Sequence, residues 1–502
     1  MSEPSMGFVE VVHENLPILQ VIMPLMAAPL CVLIRRAQAA WVLATGVVWL
    51  TFAISWSLLQ SVLGEGFISY AVGDWPAPWG IELRIEPVNA LVLLIVSGIA
   101  AVVITFSRRS LDSEVPAGRH YLFYAAFLLC MTGLLGMASA GDAFNVFVFL
   151  EISSLSSYSL IALGRHRRAL TASFRYLILG TLGGTAILFG VGLLYMSTGT
   201  LNLVDLGHRL QDVGPTRTVM VALASVVVGS TLKLGLLPLG AWLPNAYTFA
   251  PSTVTAFLAA TATKVAFYVL ARFVYRVFSP ALSFGTFHLD AVLLPLALGS
   301  MVLGAALAIF EKDVKRLLAY SSLSQIGYMT LGFSLVSLTG LAGGLVHLFN
   351  HALMKSGLFM VVACVVLRTG SSRIEAFHGL GRRMPVTMAA FVVGGLSLIG
   401  VPLTVGFVSK WFLVKGALEQ GLWPVAFVIL GSSLLAVLYI WKVVEVGYFK
   451  EPHPDFEARE APLSLLIPTW LLCGAAVYFG IFAGPTTDLA VLAAEALMEA
   501  AP

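Results

Sequence analysis

The chain has 502 residues, 59% of them hydrophobic and 11% charged, with a formal net charge of +3 and a mean hydropathy of +0.92. A soluble globular chain carries about 25% charged residues, so the composition excludes that class and predicts an all-α polytopic membrane protein. The formal charge says little about partners, and no basic run suggests a nucleic-acid partner, whose phosphates demand clustered Lys and Arg.

The opening MSEPSMGFVEVVHEN holds no Lys or Arg, so the basic n-region of a secretory leader is not expected there. A crossing needs about 20 mostly apolar residues. Fourteen spans are predicted, in order, at 16–34, 39–62, 88–106, 120–139, 142–163, 171–196, 218–243, 250–276, 290–310, 317–338, 341–367, 385–419, 423–448 and 462–483. Between the second and third, EGFISYAVGDWPAPWGIELRIEP alternates apolar residues with Trp-Pro turns and suggests a small hairpin on the membrane surface. The seventh, VVVGSTLKLGLLPLGAWLPNA, is read as broken at Pro238. The twelfth is too long for one straight helix; its LIGVPLTVGF sets Pro402 between glycines and predicts a second break. The closing TTDLAVLAAEALMEA suits either a short amphipathic helix in the outer interface or a frayed tail.

Lys and Arg in the loops set orientation. Odd-numbered loops carry Arg35, Arg36, Arg108, Arg109, Arg119, Arg165, Arg167, Arg168, Lys312, Lys315, Arg316, Arg368, Arg373, Arg382, Arg383, Lys450 and Arg459, whereas even loops hold only Arg84, Arg209, Arg217 and Arg276. Odd loops are therefore expected in the cytoplasm and both termini on the outer, periplasmic side of the cell (inner) membrane, which requires an even span count.

Charges inside spans cost about 2.5–3.5 kcal/mol each at the helix centre. Glu151 is central in its span, with no easy reach to water, and Lys233 lies equally deep. Lys264 stands near the middle of the eighth span and Lys410 just after the second break. His347, His351 and Lys355 are spaced by four and share one drifting helix face. Each has a structural reading: a lone histidine is a hydrogen-bonded core residue, and Glu151–Lys233 is a packing ion pair. Arg175 is expected to snorkel, Lys442 and Glu445 to pair locally at i,i+3, and Lys415 to reach the outer interface. Taken together, one carboxylate, two histidines and several lysines at similar depth have the composition of a proton relay, in which the Glu151–Lys233 separation would load or unload a proton. Cys31, Cys130, Cys364 and Cys473 are isolated in apolar segments and form no ligand spacing, so no metal, redox centre or cofactor is expected.

Broken helices in corresponding halves of a transporter point to its ion site. The breaks at Pro238 and Pro402 lie five spans apart, so two five-helix repeats of opposite topology are expected. The division is 1–119 for peripheral spans 1–3, 120–276 for spans 4–8, 277–448 for spans 9–13, and 449–502 for span 14 and the tail.

The pieces FNVFVFLEISSLSSYSLIAL, FRYLILGTLGG, LKLGLLPLGAWLPNAYTFAPSTVTAFLAATATKVAFYVL, EKDVKRLLAYSSLSQIGYM, HLFNHALMKSGLF and GVPLTVGFVSKW occur in this order across roughly residues 85–450. They resemble the antiporter-like subunits shared by respiratory complex I, membrane-bound hydrogenases and Mrp-type cation/proton antiporters. The resemblance implies fourteen helices, two inverted repeats and a proton-conducting polar axis. It matches Glu151 to the family's fifth-helix glutamate, Lys233 to the seventh-helix lysine and Lys264 to the connecting eighth-helix lysine. His347 and His351 match the eleventh-helix histidines, Lys355 a frequent lysine beside them, and Lys410 the distal residue of the broken twelfth helix. Arg175 stands where Lys or Arg is common. The length and the short C-terminus argue against the largest type of the family, Lys410 favours the D type of Mrp or the N type of complex I over the M type, and the EKDVKRLLAYSSLSQIGYM block and the loop at 63–87 look most like the D-type member of Mrp antiporters (MrpD).

Three functions follow. The first is a subunit of a hetero-oligomeric Na⁺/H⁺ antiporter, with protons passing from Glu151–Lys233 by Lys264 and the histidines to Lys410. The second is the proton-pumping subunit of an NADH:quinone oxidoreductase or membrane-bound hydrogenase, with catalysis on partners, since the chain holds no NADH, flavin or quinone motif. The third is a scaffold whose ion pairs only fix packing, so that Glu151→Ala would lower folded yield while any surviving complex stays active.

Overall fold

A computed structural model describes residues 12–452 and 459–499. Most of the opening stretch read for a leader, and the last residue of the tail segment, lie outside the described residues.

The first six spans are α1 Leu16–Ile34, α2 Ala37–Glu65, α3 Pro87–Glu114, α4 His120–Ser139, α5 Ala143–Ala162 and α6 Arg167–Thr198. A short helix, α7 Leu203–Val213, precedes the broken seventh span, α8 Arg217–Leu234 with α9 Leu243–Phe249. The eighth span is α10 Ser252–Ala260 with α11 Ala262–Arg272. Then come α12 Asp290–Phe310, α13 Val314–Ser334, α14 Leu338–Thr369, the broken pair α15 Pro385–Ile399 and α16 Val405–Glu419, α17 Trp423–Phe449, α18 Leu463–Ile481 and α19 Gly484–Met498. Among the described residues twelve helices are long and apolar enough to cross a membrane. The other two crossings are α13 and the α15–α16 pair, so the polytopic reading and its helix count agree with the structure. Helix α13 is the more polar because nearly all of its residues are buried against protein rather than lipid.

Both expected breaks are present. Helix α8 stops at Gly235, whose φ of 84° suits glycine, and the chain re-enters helix at Leu239. Helix α15 stops at Gly400 with φ 90°, and Thr404 opens α16. A third interruption, at Thr261 (φ −123°, ψ −58°), divides the eighth span and was not expected. No proline or glycine marks it. The Thr261 hydroxyl donates to the Phe257 carbonyl at 2.8 Å, a back-bond that bends helices.

The hairpin is there as β1 Ile68–Ala71 and β2 Glu82–Ile85, antiparallel, with Ile68 opposite Ile85. It does not merely rest on the surface, because β2 is wholly buried. Arg84 pairs with Glu86 at 2.8 Å, and Arg276 reaches the same carboxylate at 2.9 Å. Burial would push the Glu86 carboxyl up, but Arg276, Arg272 and Arg84 outweigh it and hold it below the ordinary carboxylate range. With Arg209 paired to Asp205 at 3.0 Å, three of the four even-loop arginines are neutralised locally. Helix α19 forms as the amphipathic alternative required, burying Leu489, Ala490, Ala493, Ala494 and Leu497. The four cysteines are free and buried.

Candidate functional site

The seven titratable residues picked from the sequence fall into three linked groups. The first is built where α5, α6 and α8 meet. Asp142 starts α5 by accepting from the Asn145 amide at 2.7 Å, which sets Glu151 midway along the helix. Gly183 and Gly229 let α6 and α8 almost touch; a Cβ on Gly229 would stand 2.5 Å from the Gly183 carbonyl oxygen. Gly184 leaves the space the Glu151 carboxylate occupies, since a Cβ there would collide with Oε1. That carboxylate is 4.0 Å from Lys233 Nζ, and the ammonium instead donates to Ser154 Oγ at 2.6 Å. The pair is near enough to couple electrostatically without a direct hydrogen bond. Lys233 is buried, but the Glu151 side chain keeps 26% exposure.

The second group is central. Lys264 Nζ donates to the Ala259 carbonyl, at the interruption of the eighth span, and to Thr263 Oγ1 at 3.4 Å. The ammonium lies within electrostatic reach of His347, His351 and Lys355. The two imidazoles are parallel within 9°, their centroids 6.0 Å apart, as the i,i+4 spacing on α14 dictates. His347 Nδ1 meets Ser409 Oγ at 2.9 Å. Lys355 donates to the Leu318 carbonyl at 2.8 Å and to Ser321 Oγ.

The third group closes the second break. Lys410 Nζ donates to the carbonyls of Leu398 and Ile399 at 3.1 and 2.7 Å, the freed end of α15. It also lies 4.9 Å from the Tyr328 ring centroid, and that ring stands 5.4 Å from His347. The first break is closed differently. There the Trp242 indole donates to the Leu232 carbonyl at 3.0 Å, stacked on Tyr176, so Lys233 is left to Ser154 and Glu151. Lys233 and Lys264 make no direct contact, although their helices α8 and α11 pack together.

Ser154, Ser409, Ser321, Tyr328 and Trp242 were not singled out from the sequence. Only Ser154 carried a signal, three residues after Glu151 in EISSLSSYSL; the others depend on which helices pack. Lys442 is a correction. It does not pair with Glu445 but donates to the carbonyls of Ile309 and Glu311 at 2.9 and 2.8 Å. The unpaired carbonyls at the end of α12 are the better acceptors for a half-buried ammonium. Arg175 is exposed on α6, and Lys415 is exposed beside Glu419 at 3.7 Å.

Among the described residues several buried atoms along this band have no protein partner: both nitrogens of His351, His347 Nε2, Asn350 Oδ1 and Gln325 Oε1. An unpaired buried polar group costs about 1–3 kcal/mol, so these atoms favour enclosed water between them. Acids and bases with water between them can hold and pass protons. No group of three or more His, Cys, Asp or Glu among the described residues has the arrangement of a metal site.

The class so defined is a polytopic membrane protein with an intramembrane file of titratable groups. Residues 140–436 match the family described as "NADH:quinone oxidoreductase/Mrp antiporter, TM", and the chain belongs to that family. The N-type subunit of the NADH-quinone oxidoreductase of Desulforudis audaxviator (strain MP104C) is 40% identical, covering 93% of this chain and 96% of that protein. The D-type subunit of the Na(+)/H(+) antiporter of Alkalihalophilus pseudofirmus (strain ATCC BAA-2126 / JCM 17055 / OF4) is 28% identical, covering 97% and 98%. A chain of the membrane-bound sulfane sulfur reductase, an archaeal respiratory membrane complex, superposes with a TM-score of 0.90 at 31% identity, covering 97% of this chain and 98% of that one. The chain is therefore an antiporter-like membrane subunit. Within the family, the oxidoreductase relative shares more identity with it than the antiporter relative does.

Proposed function

We propose that this chain translocates protons as one subunit of a multisubunit complex in the cell membrane, with odd loops in the cytoplasm and both termini outside. Spans 4–8 and 9–13 are its inverted repeats, and Pro238 and Pro402 mark their broken helices. One observation carries the reading: a buried lysine stands beside each break, and titratable side chains fill the interior between them. Protons enter at Glu151–Lys233, pass Lys264 and the His347/His351 pair near Lys355, and leave past Lys410. The lysines pass a proton by alternating between ammonium and free amine. The histidines bridge the two ends, because an imidazole takes a proton on one nitrogen as it releases one from the other.

Two complexes suit such a subunit. In an Mrp-type antiporter, inward proton flux would drive sodium export through partner subunits. In a redox complex the same relay would run outward, driven by electron transfer on partners that carry the cofactors. The 40% identity to the oxidoreductase relative favours the second, and the sequence features of the 63–87 loop and the span-ten block favour the first.

Purification of the tagged chain from its native membrane in mild detergent, with mass spectrometry of what accompanies it, tests the proposal. Other membrane subunits are expected to co-purify. Small subunits plus a larger antiporter-like chain would assign the Mrp form, and flavin or iron–sulfur subunits the redox form. A chain that purifies alone, in every mild detergent, would contradict both.

A further inference from the structure

The end of the eighth span on the even-loop side carries polar groups that the relay does not use. Lys264, Tyr268 and Arg272 recur every four residues on α11, so they stack from the middle of the axis toward that side. Tyr268 is fully buried and Arg272 is 4% exposed. The Tyr268 hydroxyl gives its one proton to the Ala138 carbonyl at 3.1 Å, and accepts from the Asn89 amide at 2.8 Å and from Arg272 at 3.0 Å. Arg272 also donates to the Ala140 carbonyl, just past the end of α4. Among the described residues no carboxylate forms an ion pair with Arg272. Glu86 lies within its electrostatic reach, but accepts from Arg84 and Arg276 instead, at 2.8 and 2.9 Å. Where α11 and the residues after it meet α13, Phe267, Tyr275, Phe284 and Phe333 pack ring against ring, with centroids between 5.1 and 6.0 Å apart. The Tyr275 hydroxyl among them is committed to the Phe333 carbonyl at 2.7 Å.

We propose that this region is a proton seal, with Arg272 as its blocking residue, and that it closes the middle of the axis to the even-loop side. The inference rests on the proton-translocating reading. A proton moves along a hydrogen-bonded chain only through groups that both accept and donate. A guanidinium donates, accepts nothing and keeps its proton, so Arg272 ends any such chain. Tyr268, one turn inward, receives from Asn89 and Arg272 and aims its proton at a backbone carbonyl. It therefore has none to exchange with Lys264. The fixed charge of Arg272 also repels a hydronium ion, as an arginine does in water-selective pores. The aromatic rings beside it leave water no polar route around the block. Lys264 stands midway along the relay, and an opening here would let protons cross without travelling its second half. With the seal in place, a proton on Lys264 moves only along the axis, and transport stays coupled.

Undriven proton leak tests the seal apart from driven transport. The purified complex is reconstituted into proteoliposomes holding a pH dye and given a pH step, with valinomycin and equal potassium on both sides. Neither a sodium gradient nor an electron donor is supplied. Arg272→His puts an accepting and donating group at the block. It is expected to leak protons about ten-fold faster than the unaltered complex, the lower end of the range over which a fixed charge changes local ion concentration. The leak is expected to disappear when Lys264→Met is added, because its route includes Lys264. Potassium release, measured without the ionophore, is expected to stay at the level of the unaltered complex. If Arg272→His does not assemble, Arg272→Gln, whose amide both accepts and donates, is read in the same way. A leak no faster than that of the unaltered complex would overturn the seal. So would a leak that survives Lys264→Met, or one that carries potassium as well, which would leave Arg272 as a cap on α4 alone. Failure of the relay shows elsewhere, as driven uptake retained in Lys264→Met.

Discussion

Lys233→Ala is expected to lower proton-coupled transport by roughly a hundred-fold or more, the scale on which a positioned proton-transfer group acts, while the complex still assembles. The ammonium has two neighbours, Ser154 at 2.6 Å and Glu151 at 4.0 Å. Neither is a backbone group that holds the fold together. The freed carbonyl at this break, that of Leu232, is taken by Trp242 rather than by the lysine. Removing the lysine therefore removes a proton carrier and leaves the break closed. Ser154→Ala, which keeps the carrier and loses one acceptor, is expected to slow transport far less. Proton flux measured with a pH dye in vesicles, with subunit content checked in parallel, separates these outcomes. Full flux in Lys233→Ala would remove the lysine from the relay.

Lys410→Met is expected to do two things at once, because this lysine both carries protons and caps a helix. Its ammonium satisfies the carbonyls of Leu398 and Ile399 inside the membrane region, where an unsatisfied carbonyl has no bulk water to turn to. Methionine fills the volume and supplies no donor. The loss is about 1–3 kcal/mol for each carbonyl left unpaired, read as a lower melting temperature in detergent, together with loss of flux. Lys410→Arg separates the two roles. The guanidinium still donates to both carbonyls, so stability is expected to recover, but it does not release its proton, so flux is expected to stay lost. An unchanged melting temperature in Lys410→Met would contradict the capping role.

The sequence revealed most where a residue was costly where it stood. Lys233, Lys264 and Lys410 are visible because charge in an apolar run needs a reason, and Pro238 and Pro402 because they cannot continue a helix. Most span boundaries were legible to a few residues for the same reason, lipid enforcing apolar length, although the third helix runs eight residues past its expected end at 106, to Glu114. What stayed hidden depends on packing between distant segments. Thr261 interrupts the eighth span with no proline or glycine to announce it. Lys442 passes over Glu445, three residues away, for carbonyls more than 130 residues distant in the chain. The room for the Glu151 carboxylate comes from Gly184 on another helix, and the serines that hold Lys233, His347 and Lys355 are ordinary until the helices are assembled.

The most direct test of a relay that is continuous through the interior is Lys264→Met in the purified complex, reconstituted into proteoliposomes and assayed for proton uptake. Lys264 stands between the two lysine-bearing breaks and touches neither Glu151–Lys233 nor Lys410, so both ends remain intact in the variant. Loss of nearly all proton uptake, with the subunits present in normal ratio, is the result this account predicts. Uptake equal to that of the unaltered complex would contradict it, and the buried charges would then be read as packing alone.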